Sequence, residues 1–207
     1  MILTAKQIAQ VGADILAQGY VVLDDVLTAN EGQLMLDACL AIEPEHFFTA
    51  GIGRHHGHQI NADIRGDKMT WLADDFAGTV AYMQSMEAVK LSLNQWFYLG
   101  LNHYELMFAS YPIGAFYQKH MDTFVLANGT KNQRKISTVL YLNQAWQHAD
   151  GGELVLYLPQ QAESGVVIEP VMGRLVMFVS DEIPHEVLVT HQLRHSLTGW
   201  FRTAAGH

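Results

Sequence analysis

Apolar residues recur at Ile8, Val11 and Ile15, three to four positions apart, the period of one buried face of an α-helix. Thr4 followed by Gln7 makes a capping-box start ahead of that run, and Gly19 makes a stop behind it. Residues 20–23 then read as a short strand. Thr28 with Glu31 is a second capping box, opening a helix to about Ile42 with Leu34, Met35 and Ala38 on one side. Residues 76–99 hold no proline and one glycine, Gly78, so they read as a third, long helix. From Glu105 onward the pattern changes. Short runs rich in Val, Ile, Phe, Tyr and Thr lie at 106–111, 136–142, 154–158, 166–168, 175–179, 187–190 and 196–201, with Asn128-Gly129 and Gly151-Gly152 as turn signals. Many short strands at this spacing predict a sandwich or jelly roll. The class is α+β, in one domain over 1–207: helical support over about 1–100, then a β-core over about 101–207. There is no internal repeat and no low-complexity tract.

Composition narrows the function classes. With 49% apolar and 16% charged residues, the chain is globular rather than disordered. A net charge of -9 and the lack of any Lys/Arg run argue against nucleic-acid binding. Cys39 is the one cysteine, so no internal disulfide forms, and its apolar helical setting reads as a small buried hydrophobe. The opening residues lack a signal peptide's basic and long apolar regions, and no apolar run approaches the ~20 residues of a membrane span. A cytoplasmic protein, monomeric and away from membranes, is the expectation. The segment 44–63 carries Gly51, Gly53 and Gly57 with His55, His56 and His58. It reads as a mobile, substrate-covering loop, since no carboxylate or cysteine joins those histidines at ligand spacing.

The β-half holds a sharper pattern, His120-Met121-Asp122, with His185 far downstream and Arg194 nine residues after that. Alternation along a strand puts His120 and Asp122 on one face, and a second strand can bring His185 to them. Two imidazoles and a carboxylate on one octahedral face leave three positions open, the arrangement of non-haem Fe(II) oxygenases. Arg194 offers a planar fork for a carboxylate. The pattern alone is weak, because His148-Ala149-Asp150 matches it too. That second triplet abuts Gly151-Gly152 in a turn, where neither side chain is held rigidly, and reads as surface.

The surrounding words are more specific. They are Ile64-Arg65-Gly66-Asp67-Lys68-Met69-Thr70-Trp71-Leu72, Tyr111-Pro112, Tyr117-x-x-His120-x-Asp122, Tyr141-Leu142-Asn143, Gly151-Gly152-Glu153-Leu154, Pro184-His185-Glu186-Val187 and Arg194-x-Ser196-Leu197-Thr198-Gly199-Trp200-Phe201. In this order the chain resembles the 2-oxoglutarate- and Fe(II)-dependent prolyl 4-hydroxylases, most closely the hypoxia-inducible-factor type and its bacterial relatives. The resemblance runs over about residues 60–203.

The resemblance implies a double-stranded β-helix (jelly roll) braced by N-terminal helices, with His120, Asp122 and His185 as iron ligands. It implies that Arg194 binds the distal carboxylate of 2-oxoglutarate, assisted by the Tyr141 hydroxyl, with Tyr111 reaching toward the same molecule. Tyr117 and Trp200 would line the proline pocket, with Arg65, Asp67 and Arg134 on the substrate side and an Asp67–Arg134 salt bridge tying the substrate loop to the core. Fe(II), 2-oxoglutarate and O2 follow as cofactor and cosubstrates, with ascorbate as an accessory ligand. The implied activity is 4-hydroxylation of a proline in an exposed loop of a protein, a translation factor such as elongation factor Tu being one candidate. The span from Asp122 to Tyr141 is shorter than in the animal enzymes, so the animal substrate does not carry over. Two other readings remain open: a hydroxylase of a small molecule such as free proline, and a non-catalytic jelly-roll module that senses metal or a dicarboxylate.

Overall fold

The computed structural model describes residues 1–49, 64–123, 133–159 and 163–204. The glycines and histidines of the 51–58 cluster and Asn128-Gly129 lie outside these residues. Among the described residues there are three α-helices: α1 (Ala5–Gln18), α2 (Ala29–Leu40) and α3 (Val80–Phe97). Eleven strands accompany them: β1 (Tyr20–Leu23), β2 (Phe48–Thr49), β3 (Lys68–Leu72), β4 (Leu101–Tyr111), β5 (Tyr117–His120), β6 (Arg134–Tyr141), β7 (Leu154–Leu156), β8 (Val166–Ile168), β9 (Leu175–Val179), β10 (His185–Val187) and β11 (Arg194–Thr203).

The helix boundaries follow from local chemistry. Both capping boxes form, Thr4 with Gln7 and Thr28 with Glu31, and Gly19 closes α1 in the left-handed region at φ 81°. A one-turn 3-10 segment, Ala77–Thr79, precedes α3, so the expected helix over 76–99 is shorter at both ends. α2 buries Gly32, Met35 and Cys39, whereas Leu34, expected on the buried side, is exposed. The reason is Gly32: a side chain there would overlap Met172, so its bareness sets which face of α2 docks.

All strand pairs are antiparallel and fall into two sheets. The larger has the order β1-β9-β6-β11-β4-β3-β2 and the smaller β5-β10-β7-β8. β1, β2 and β3, from the helix-rich half of the chain, thus complete the larger sheet. That sheet is buried on both faces. From β6, Ile136 and Leu140 pack with residues of α1 and α3, while Val139 and Tyr141 pack with Leu154, Leu156 and Ile168 of the smaller sheet. β11 divides in the same way, with Leu197 and Phe201 toward the helices and Trp200 in the opposite layer beside Tyr111 and Val187. This helix-braced jelly roll leaves a cavity of about 300 Å³ between the sheets.

Two strands differ from the expected positions for identifiable reasons. β10 begins at His185, not Val187, directly after Pro184, which has no N–H for a ladder. β5 ends at His120, so Asp122 lies just past the strand rather than on it. The His120/Asp122 juxtaposition is therefore made by the turn after β5 and by the hydrogen bonds described next, not by strand alternation.

Candidate metal centre

His120 and His185 are register partners across β5 and β10. Their rings lie 4.3 Å apart, centroid to centroid. Asp122 approaches both, its Oδ1 3.8 Å from His120 Nε2 and its Oδ2 3.7 Å from His185 Nε2. One ligand atom from each of the three lies within 4.8 Å of the others, and among the described residues this is the one His/Cys/Asp/Glu group so arranged. Separations of this size suit a shared cation at about 2.0–2.2 Å from each donor.

Neighbouring groups orient the donors. His120 Nδ1 faces the Gln118 carbonyl at 2.8 Å and His185 Nδ1 faces the Ile183 carbonyl at 3.2 Å. An Nδ1–H donated to a carbonyl leaves the Nε2 lone pair toward the shared point. The Tyr117 ring stacks on His120 at 3.5 Å, and Phe178 meets His185 edge-on at 4.6 Å. Asp122 Oδ2 accepts from Ser137 Oγ at 2.6 Å and from the Trp200 indole at 2.8 Å. Ser137 in turn shares a 2.8 Å hydrogen bond with Ser180.

Electrostatics agree with a donor set ready for a cation. Burial, reinforced by the nearby His185, pushes the His120 pKa down to about 3, which keeps that imidazole neutral. Burial alone would raise the Asp122 carboxyl, but His185, His120, Arg134 and the Ser137 hydroxyl together hold it below the usual carboxylate range. The residues present thus fit a divalent metal: two imidazole nitrogen donors, an ionised oxygen donor and an open cavity beside them.

Arg194 lies on the same cavity, only 2% exposed. Its Nε donates to the Gly152 carbonyl at 2.9 Å, and its guanidinium lies over the rings of Tyr111 (4.8 Å) and Tyr141 (5.0 Å). Among the described residues no carboxylate is within ion-pair distance of it. The Tyr141 hydroxyl, fully buried, also has no hydrogen-bond partner there. Burial raises the Tyr141 pKa against the opposing charge of Arg194, so the phenol remains a donor. An uncompensated buried cation beside an unpartnered donor is costly, and a ligand carboxylate relieves both.

Tyr117, Trp200, Arg65 and Arg134 also line the cavity. The Asp67–Arg134 bridge is not formed. Asp67, wholly buried, takes two hydrogen bonds from Arg65 at 2.6 and 2.7 Å, while Arg134 pairs with Glu105 at 2.8 Å. Asp67 sits two residues from Arg65, and that short-range pair engages both of its carboxylate oxygens. His148 is largely exposed in a 3-10 turn beside Glu169, and Asp150 caps that same turn through Gln147 N–H. Sequence reading missed Ser137, Ser180 and Glu105. Ser137 left a weak signal, as one of two polar residues, with Thr138, in the run from Ile136 to Leu142.

A family model described as the 2OG-Fe(II) oxygenase superfamily matches residues 106–202. Egl nine homolog 1 of Homo sapiens is 30% identical over 194 residues, covering 88% of this chain and 43% of that protein. The hypoxia-inducible factor prolyl hydroxylase of Caenorhabditis elegans is 30% identical over 196 residues, 88% of this chain and 26% of the relative. The chain spans about half the length of the Egl nine relatives it matches. The crystal structure of a Pseudomonas putida prolyl-4-hydroxylase superposes with a TM-score of 0.82 at 35% identity, covering 96% of this chain and 100% of that one. A Trichoplax adhaerens prolyl hydroxylase, solved with a hypoxia-inducible-factor peptide, superposes with a TM-score of 0.81 at 25% identity over 95% of this chain and 89% of that one.

Proposed function

The chain belongs to the 2-oxoglutarate- and Fe(II)-dependent oxygenases, among the prolyl hydroxylases, and on that premise we propose that it 4-hydroxylates a proline in an exposed loop of a protein substrate. The observation that carries the reading is one cavity holding both the His120, Asp122 and His185 donor set and the uncompensated Arg194. His120, Asp122 and His185 would hold the Fe(II). Arg194 would take the distal carboxylate of 2-oxoglutarate with its planar fork, and Tyr141 would donate its hydroxyl to the same group. Tyr111, whose pKa burial also raises, stays protonated and can donate toward the cosubstrate. When bound, the iron and 2-oxoglutarate supply the O2 chemistry that replaces a prolyl C4–H by C4–OH while 2-oxoglutarate leaves as succinate and CO2.

The protein's share is orientation and exclusion of water. Three fixed donors leave the rest of the coordination sphere to the cosubstrates. Apolar walls from Met69, Met107 and Val187 keep the cavity dry around those charges. Tyr117 and Trp200 flank the donor set and would line the pocket for the proline. A translation factor such as elongation factor Tu is the first protein to offer as substrate, and ascorbate the first accessory reductant.

Under anaerobic conditions, Fe(II) followed by 2-oxoglutarate should give the weak visible charge-transfer band of a chelated 2-oxoacid. The band should vanish in Asp122→Ala and weaken in Arg194→Ala. A protein substrate should then gain one oxygen on a proline when O2 is admitted. Iron binding without the band would remove 2-oxoglutarate from the reading and favour a metal-sensing module. Turnover of free proline with no partner would favour the small-molecule hydroxylase.

A further inference from the structure

Two of the three candidate ligands are braced by struts of the same composition. On one side Asp67 holds Arg65, whose guanidinium lies 4.2 Å over the Tyr117 ring, and that ring stacks on His120. On the other, Glu105 Oε1 accepts from both Nε and Nη2 of Arg134 at 2.8 Å, and Arg134 lies 3.5 Å over the Trp200 ring. The indole N–H of Trp200 then donates to Asp122 Oδ2. Glu105 is fixed from a second side, its Oε2 accepting from Arg202 at 2.9 Å. Its side chain is only 11% exposed.

The strut is built by sheet register. Trp200 pairs with Glu105 on one neighbour strand and with Ser137 on the other, and Arg202 pairs with Arg134. Three adjacent strands thus place a carboxylate between two guanidinium groups, one of which caps the indole. A guanidinium over an aromatic face is weakly directional by itself. Pinned through two of its N–H groups by a carboxylate, it becomes a fixed plate. The indole against it is then held in the orientation that aims its N–H at Asp122.

We propose that Glu105 is a positioning residue for Asp122, acting through Arg134 and Trp200. The proposal rests on the reading of His120, Asp122 and His185 as a metal centre. Loosening Glu105 should weaken the metal by freeing the Asp122 carboxylate, and should do so only while Trp200 has an N–H to donate.

The test uses the whole chain and Mn(II), with the free-ion paramagnetic resonance signal as readout, so that no turnover is required. Wild type should bind Mn(II) and Asp122→Ala should not. Glu105→Gln should weaken binding about three- to ten-fold, at the low end of what outer partners of metal ligands contribute. In a Trp200→Phe background, which keeps a ring but has no N–H for Asp122, Glu105→Gln should change the affinity no further. A merely structural role would lower affinity by the same factor in both backgrounds, and that result, or wild-type affinity in Glu105→Gln, would overturn the proposal alone. Failure of the wild-type chain to bind Mn(II) would overturn the metal-centre reading and the proposal with it. If Glu105→Gln does not fold, Arg134→Gln replaces it in the same two backgrounds, with the same outcomes expected.

Discussion

Arg194 sits where burial of a charge is costly unless a ligand carboxylate joins it. It is a nearly buried cation whose neighbours are two tyrosine rings and one carbonyl. Replacing it with a methionine of similar reach should therefore leave the denaturation midpoint of ligand-free protein unchanged or higher, since an uncompensated buried charge is removed. The same Arg194→Met change should weaken 2-oxoglutarate about 100-fold, by loss of a charge-assisted bidentate contact. Titration of the anaerobic visible band measures this, and an unaltered affinity would remove Arg194 from cosubstrate binding. His195, the next residue, points to the opposite face of β11 and stacks on Phe108 at 5.4 Å. Burial, then the charge of Arg194, push its pKa down from 6.5 to about 4. The unfolded chain binds this proton at higher pH than the folded one. The stability His195 contributes is therefore complete above about pH 6.5 and declines as pH falls toward about 4. Its Nδ1 has no partner among the described residues, so His195→Leu should make the urea midpoint of metal-free protein less steeply dependent on pH across that window. An unchanged slope would show that other groups account for the acid sensitivity.

Among the elements, β11 carries the most constraint. Within one strand it supplies Arg194 and Trp200 to the cavity and Leu197 and Phe201 to the helix-facing core. Gly199 between them is bare for a reason of close approach. A Cβ there would overlap the Tyr104 hydroxyl, which bonds Tyr82 at 2.9 Å and Thr138 at 2.7 Å in a buried chain of hydroxyls. Gly199→Ala should cost more than about 2 kcal/mol in chemical denaturation, through overpacking and broken buried hydrogen bonds. A cost below about 0.5 kcal/mol would mean the strand moves aside freely. Thr28→Ala, by contrast, removes one capping oxygen at the exposed start of α2 and should cost only about 1 kcal/mol. The starts of α1 and α2 and most strand cores were legible because caps, periodicity and glycine stops act within a few residues. β3 was not, since Lys68-Met69-Thr70-Trp71-Leu72 lies in the helix-rich half and gains its ladder from β4, more than 30 residues downstream.

At the scale of the whole molecule, the candidate ligands come from segments 65 positions apart in sequence that meet because β5 and β10 are neighbours in the smaller sheet. A metal held by both should tie them together. Mn(II) at about 100 times its dissociation constant should stabilise the fold by about 2.7 kcal/mol. It should also slow amide exchange in β5 and β10 more than in the distant strand β1. Slowing concentrated in other elements would point to a binding site elsewhere on the chain. Among the described residues no helix is long and apolar enough to cross a membrane.

His120, Asp122, His185 and Arg194 stood out as candidates in the chain because chemistry restricts which side chains can bind a hard cation or grip a carboxylate, while Tyr141 entered only through the resemblance to the prolyl hydroxylases. Also readable were α1, α2 and most of the strands after residue 100, which local periodicity and capping set. The partner choices were not. Asp67 pairs with Arg65 and Arg134 with Glu105, against the expected Asp67–Arg134 bridge. Asp122 reaches its place through Ser137 and Trp200 rather than by strand alternation. Which of several nearby charges form a pair depends on distances of an ångström or two between strands far apart in sequence. Only the packing of the two sheets against each other and against the helices fixes those distances.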